Sequence, residues 1–317
     1  MLERIQHLIH LIRVRQYYKN VLVFVGLFFS VNLFTFEYWY PLIIGFILLC
    51  LTSSVNYIVN DIVDIESDKK HPDKLKKKPL ASGDLSISFA VWLLILIVFI
   101  IIISLVFIVP NIPFAILLLL IIFTGQLYNH FFKRYAFIDI LSLSTGYLWR
   151  ALAGCVLINQ FISAWLFLSI FELALFLVIA KRKGDLMVLG SKEDAVKHKK
   201  VYNQYSIKLL DQFHVITAGS IFMTYSLYLI FKFELFTEGE FNPNEYITIL
   251  TIPIILFILM RYMYLTSAKP ELARNIEKVL FDKGILIAGI FLGAILLYSF
   301  YFEQIIDILN LIFNLNL

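Results

Sequence analysis

The chain has 317 residues, of which 60% are hydrophobic, 16% aromatic and only 16% charged, and its mean hydropathy is +0.84. A soluble globular domain carries about 25% charged residues, so this balance excludes one and describes a polytopic membrane protein. The net charge of +4 is modest, and no basic stripe or nucleic-acid module points to a DNA or RNA partner.

In chain order, residues 1–17 set Arg4, Arg13 and Arg15 among Ile and Leu with no small-residue cleavage site before the next apolar run. That pattern predicts an interfacial amphipathic helix rather than a cleaved signal peptide. Nine apolar windows follow, near 18–36, 39–60, 86–108, 112–130, 137–157, 161–180, 209–231, 246–265 and 284–302. Each is long enough to cross a hydrocarbon core of about 30 Å. Lys and Arg crowd the N-terminus and the connections after the second, fourth, sixth and eighth windows, whereas the connection from Lys232 to Glu245 is acidic. The bias of Lys and Arg toward the cytoplasm puts the N-terminus inside and the C-terminus outside, and the membrane expected is a plasma (bacterial inner) membrane. Residues 304–317 read as an amphipathic tail on the outer interface. The whole chain, 1–317, reads as one membrane domain with cytoplasmic loops at 61–85 and 181–208. Cys50 and Cys155 fall in apolar segments and read as small core residues.

The second window ends in Asn60-Asp61, with Asp64 and Asp68 beyond it. On a continuing helix Asp61, Asp64 and Asp68 stand at i, i+3 and i+7, so three carboxylates share one face. Such a face repels itself unless a cation sits on it. Mg²⁺ suits the place, because it is usually held by one or two carboxylates with phosphates and waters filling its other positions. A solvated helix end is the plainer reading. Asn56 and Asn60 lie at i and i+4 and face the same way. The run from Lys74 to Lys78 either closes over an anion or acts only as a topogenic cluster. Tyr128, Lys133 and Asp139 mark the next cytoplasmic connection, and Arg150 lies within the fifth window. An arginine there costs roughly 3 kcal/mol or more unless it meets a substrate anion or a structural carboxylate. Lys181 and Arg182 close the sixth window, and Lys19 with Asn20 closes the first. The six histidines show no metal-ligand spacing, and no Gly-rich phosphate loop or Ser-His-Asp order is present.

The motif Asn60, Asp61, Asp64, Asp68 matches the NDxxDxxxD pattern of the UbiA superfamily of intramembrane transferases, and Lys78-Pro79-Leu80-Ala81-Ser82-Gly83 resembles its R-P-L-x-S-G. The resemblance implies an all-α polytopic fold of nine transmembrane helices around a cavity open to the cytoplasm. Within the superfamily the chain most resembles the decaprenyl-phosphate phosphoribosyltransferase group. Arg15-Gln16-Tyr17-Tyr18-Lys19-Asn20 is similar to that group's R-Q-W-x-K-N, Asp68 to Pro72 to its D-x-x-H-P, and Tyr128, Lys133 and Asp139 to its YxxxxKxxxxxD. Arg150 to Gly154 is similar to its R-A-x-A-G, so the likeness runs from residue 13 to about 215. The DRxxD motif of aromatic prenyltransferases in the superfamily is replaced by Lys181-Arg182-Lys183-Gly184-Asp185. A base at the first position cannot ligate Mg²⁺ but can bind a phosphate.

What the resemblance implies is transfer of a 5-phosphoribosyl group from phosphoribosyl diphosphate to a polyprenyl (decaprenyl-like) phosphate, with release of diphosphate. Asp61, Asp64 and Asp68 would carry Mg²⁺ and the chemistry. Lys19, Asn56, Asn60, Lys74, Lys78, Tyr128, Lys133, Asp139, Arg150, Lys181 and Arg182 would bind substrates. Among them, Lys19, Lys133 or Arg150 would take the lipid phosphate, and Lys181 and Arg182 the sugar 5-phosphate. Membrane lipids surround such a chain, which is also compatible with a homo-oligomer. Two other readings stand beside this one: a prenyltransferase acting on an aromatic or other acceptor, and an ion-coupled transporter. A transporter would need polar groups near the midplane and access from both sides.

Overall fold

The computed structural model describes residues 2–69, 75, 78–190, 195–196, 199–235, 246–274 and 276–313, and among these every regular element is helical. Lys74 and most of the 232–245 connection lie outside the described residues. The chain divides into two compact units, 1–133 with 145–161 and 134–144 with 162–317. The sequence reads as one domain because nothing in its composition marks a linker between them.

The first unit opens with α1 (Leu2–Ile12), which ends where Arg13 turns into the left-handed region at φ 54°. A 3₁₀ run, Val14–Phe24, leads into α2 (Val25–Phe29). Runs this long are uncommon, and here the three-residue period has a visible use. It stacks Tyr17, Asn20 and Val23 along one edge: Tyr17 bonds Ser54 at 2.8 Å, Asn20 is fully buried, and Val23 rests on Gly154. Only glycine fits at 154, since a Cβ there would stand 1.7 Å from the Val23 carbonyl oxygen.

Around this edge pack α3 (Trp39–Val63), α6 (Ile87–Phe107), α7 (Ile112–His130) and the second half of α8 (Ile138–Leu157). The short α4 (Ile65–Asp68) and α5 (Pro79–Ser82) follow α3. Two of the long helices begin at a side-chain cap: Ser86 accepts from the Phe89 amide and Asn111 from the Phe114 amide. The inner rows carry Leu42, Leu49, Phe114 and Leu118, while Trp92, Phe99, Phe107 and Leu119 point outward. Large apolar side chains on the outside are what a lipid-facing helix requires.

The second unit holds α9 (Ala164–Leu189), α10 (Ile207–Lys232), α11 (Thr251–Ala268), α12 (Pro270–Arg274), α13 (Ile276–Leu280), α14 (Lys283–Phe313) and the first half of α8. Polar ties hold its apolar helices together. Buried Glu172 accepts from Ser220 at 2.5 Å and Thr224 at 2.7 Å, joining α9 to α10, and Lys183 ties α9 to Asp211 on α10 and Ser267 on α11.

Among the described residues, eight helical segments are long and apolar enough to cross a membrane, and they fall on the second to ninth windows. The first window is instead the 3₁₀ run and α2, so nine long helices are not observed. The amphipathic tail is also revised, because α14 continues unbroken to Phe313. Likewise α9 runs to Leu189, which makes Lys181 to Asp185 helical rather than part of a loop.

Candidate functional site

In the first unit the three acids gather at the end of α3. The helix stops at Val63, Asp64 forms the turn, and α4 resumes the winding, so the continuous helix expected through the three acids is broken at the middle one. Asp61 and Asp68 are buried and converge on a single ammonium: Lys78 Nζ lies 2.9 Å from Asp61 and 2.5 Å from Asp68. Arg13 donates to the same Asp61 oxygen, Oδ1, at 2.7 Å, with its guanidinium over the Tyr57 ring. Half-buried Asp64 lies 3.8 Å from Lys133. Among the described residues no group of three acid, His or Cys ligands is placed around one point. Two carboxylates nevertheless share one cation, and that is the donor set Mg²⁺ takes when phosphates complete its shell. The Lys78 ammonium marks the place a metal would take, so the residues fit the ion. Arg13, absent from the substrate-binding residues expected above, could have been found as a second base two residues ahead of the Arg15 motif.

Arg150, on α8, is held differently. Its Nε donates to Asn20 at 2.7 Å, Nη1 to the Gly146 carbonyl at 2.5 Å and Nη2 to Ser53 Oγ at 3.3 Å. Asn20 is fixed in turn by Cys50, 3.2 Å away. All these partners are neutral, so the Arg–Asp pair anticipated as its structural alternative is not found among the described residues. Asn56 is engaged within the unit, donating to the Ile121 carbonyl at 3.0 Å and accepting from Gln126 at 2.8 Å. Asn60 is half-buried on the last turn of α3, Tyr128 is half-buried on α7, and Lys19 lies over the Tyr18 ring.

The second unit holds its own polar cluster. Arg182, 1% exposed, donates from Nε to Asp139 at 2.9 Å, and Asp139 also accepts from Tyr205 at 2.6 Å. Tyr202 donates to Asp185 at 2.6 Å, and Arg274 reaches the same carboxylate at 2.8 Å. Gly184 permits this, since α12 comes so close that a Cβ would meet Ala273 at 2.5 Å. Desolvation, with the Arg182 and Lys181 charges beside it, brings the Lys199 ammonium down to about 7. Tyr202 and Tyr205 are pushed up, chiefly by burial. Of the two bases expected to meet a phosphate, Lys181 is exposed while Arg182 is enclosed by its own carboxylate. Tyr202, Tyr205 and Lys199 gave no signal in the sequence, because a tyrosine near a loop has no spacing that announces a buried acid.

Comparison with known proteins gives a consistent picture. A family model described as the UbiA prenyltransferase family matches residues 21–277. Two decaprenyl-phosphate phosphoribosyltransferases are each 28% identical: that of Mycolicibacterium smegmatis over 70% of this chain and 69% of its own, and that of Mycobacterium tuberculosis over 68% and 72%. A solved UbiA homologue from Archaeoglobus fulgidus, bound to DMAPP and Mg²⁺, superposes with a TM-score of 0.64 at 15% identity, over 92% of this chain and 97% of its own.

Proposed function

The chain belongs to the UbiA prenyltransferase family, and from that premise we propose that it transfers a 5-phosphoribosyl group from phosphoribosyl diphosphate to a polyprenyl phosphate in a Mg²⁺-dependent reaction. Convergence of Asp61 and Asp68 on one cation position is the observation that carries this reading, since such a pair suits a metal-bound diphosphate. The names of the mycobacterial relatives agree with it. The second unit argues against a second metal-bound diphosphate site: position 181 is Lys, and both Asp139 and Asp185 already have an arginine partner.

In the proposed reaction an oxygen of the lipid phosphate forms a bond to ribose C1 while the C1–O bond to diphosphate breaks, the bonding pair leaving with diphosphate. The nucleophile is already an anion, so no side chain has to remove a proton. Mg²⁺, when bound, supplies positive charge to the departing diphosphate. Asp61, Asp64 and Asp68 would hold that ion, and Lys78 and Arg13, once displaced from the carboxylates, would be free to meet phosphate oxygens. Lys181, exposed on α9, is the base of the second unit proposed to meet a substrate phosphate. The active face is proposed to be cytoplasmic, with the N-terminus inside.

Purified full-length protein in detergent, given radiolabelled phosphoribosyl diphosphate with polyprenyl phosphate, should yield labelled lipid on extraction. Label entering lipid only from a prenyl diphosphate would make it a prenyltransferase of the usual kind.

A further inference from the structure

We propose that Arg150, with Asn20 and Ser53, is an intramembrane clamp for the phosphate of an isoprenoid-type lipid, set apart from the carboxylates that hold the diphosphate. The proposal deepens the reading above, in which three bases were candidates for the acceptor phosphate. Of these, Lys19 lies over the Tyr18 ring and Lys133 is paired with Asp64, while Lys78 and Arg13 at the carboxylates are paired with Asp61. Among the described residues Arg150 has only neutral oxygens bonded to it: Asn20 Oδ1, Ser53 Oγ and the Gly146 carbonyl.

A guanidinium presents five N–H groups, and these three contacts leave two for a ligand. The contacts fix its orientation without cancelling its charge. A cation within a membrane helix and without a counter-charge calls for an anion. The site is prepared for one, since Asn20 is fully buried and tied to Cys50, Ser53 is 4% exposed, and Arg150 itself remains half-open. Its depth indicates what carries the anion. Ser53 lies eight residues before Asp61 on α3, about 12 Å along the axis. That distance leaves room for a ribose diphosphate between clamp and carboxylates. An anion reaching this level with its carrier still in the bilayer is a lipid monophosphate rather than a soluble one.

Binding tests this without any donor. Full-length protein in detergent is titrated with farnesyl phosphate, farnesol and inorganic phosphate, and occupancy is followed by tryptophan fluorescence and thermal stabilisation. Farnesyl phosphate should bind more tightly than farnesol or inorganic phosphate by about tenfold or more, the worth of one charge-assisted contact. Arg150→Gln should remove that preference. Asn20→Asp gives Arg150 a carboxylate of its own, so it should weaken farnesyl phosphate by about tenfold while Tm is kept or raised. A purely structural Arg150 predicts unchanged affinity in Asn20→Asp, and that result would overturn the proposal. So would equal binding of farnesol and farnesyl phosphate, or inorganic phosphate binding as tightly as the lipid. If the preference depends on Arg150 but no ribosyl group is transferred, the clamp stands and the donor assignment falls.

Discussion

The polar clusters of the two units are built from the same residue types and handle charge in opposite ways. At the end of α3, three acids from one short stretch are met by Arg13, Lys78 and Lys133, long side chains from well-separated stretches that keep 30%, 18% and 35% of their surface exposed. In the second unit the side chains of Arg182 and Asp139 are 2% and 0% exposed, and tyrosines complete the shell. Removing water from a pair raises the cost of separating it, whereas a partly wet pair exchanges partners readily. The first cluster can therefore give its carboxylates to another cation. The second is a fixed joint.

The contrast predicts where a small change does the most harm. Asp61→Asn should have the largest effect on activity, lowering turnover by two to three orders of magnitude because loss of metal-mediated charge stabilisation costs about 3–4 kcal/mol. Initial rates of labelled lipid formation over a Mg²⁺ series would show it, and near-normal turnover in EDTA would remove the metal from the account. Arg182→Met should instead act on folding, by about 3–5 kcal/mol, since Asp139 is left charged and buried. Pairing it with Asp139→Leu should restore most of the lost Tm. If the single variant is as stable as wild type, the joint is not one.

Gly154→Ala comes next, at about 1–3 kcal/mol, because its Cβ must push the 3₁₀ run off α8. Its signature is loss of farnesyl phosphate binding together with a lower Tm. A pH effect follows from Lys199. Its ammonium is held near 7 by desolvation and by Arg182 and Lys181, against the opposing pull of Asp185 and Asp139. Depression of a folded-state lysine means that the unfolded chain binds the extra proton between about pH 7 and the ordinary lysine range. Stability therefore rises with pH across that window, and the charge available to an anion falls. Tm should climb from about pH 7 to 9, and Lys199→Ala should flatten the slope. Smallest of all, Lys133→Ala should change Tm by the equivalent of less than about 1 kcal/mol, as a half-exposed pair at 3.8 Å allows. A larger loss would put the first cluster in the class of the second.

Much of this was legible in the residues themselves. Apolar length gave all eight long helices, since 20 consecutive apolar residues have few alternatives. The spacing of Asp61, Asp64 and Asp68 points to one face, and the structure brings Asp61 and Asp68 to one ammonium while Asp64, at the turn, lies against Lys133. What spacing could not reveal is pairing between distant stretches. Arg13 and Asp61 are 48 residues apart, Arg182 and Asp139 are 43, and Arg150 and Asn20 are 130. Asn56 shows the converse error: its i, i+4 relation to Asn60 was real, but Gly125 lets α7 approach closely enough to take up its amide. The 3₁₀ run escaped because hydropathy registers apolar content and not winding.

That winding has a mechanical consequence. A 3₁₀ turn advances about 2.0 Å per residue and an α turn about 1.5 Å. If Val14–Phe24 rewound to α geometry it would shorten by about 5 Å, and its edge of Tyr17, Asn20 and Val23 would fan out around the axis. The segment thus behaves as a screw whose pitch sets how far the Asn20 oxygen stands from the guanidinium. A one-residue deletion before Asn20 turns the thread by a third of a revolution, and removal of three restores its angle but not its depth.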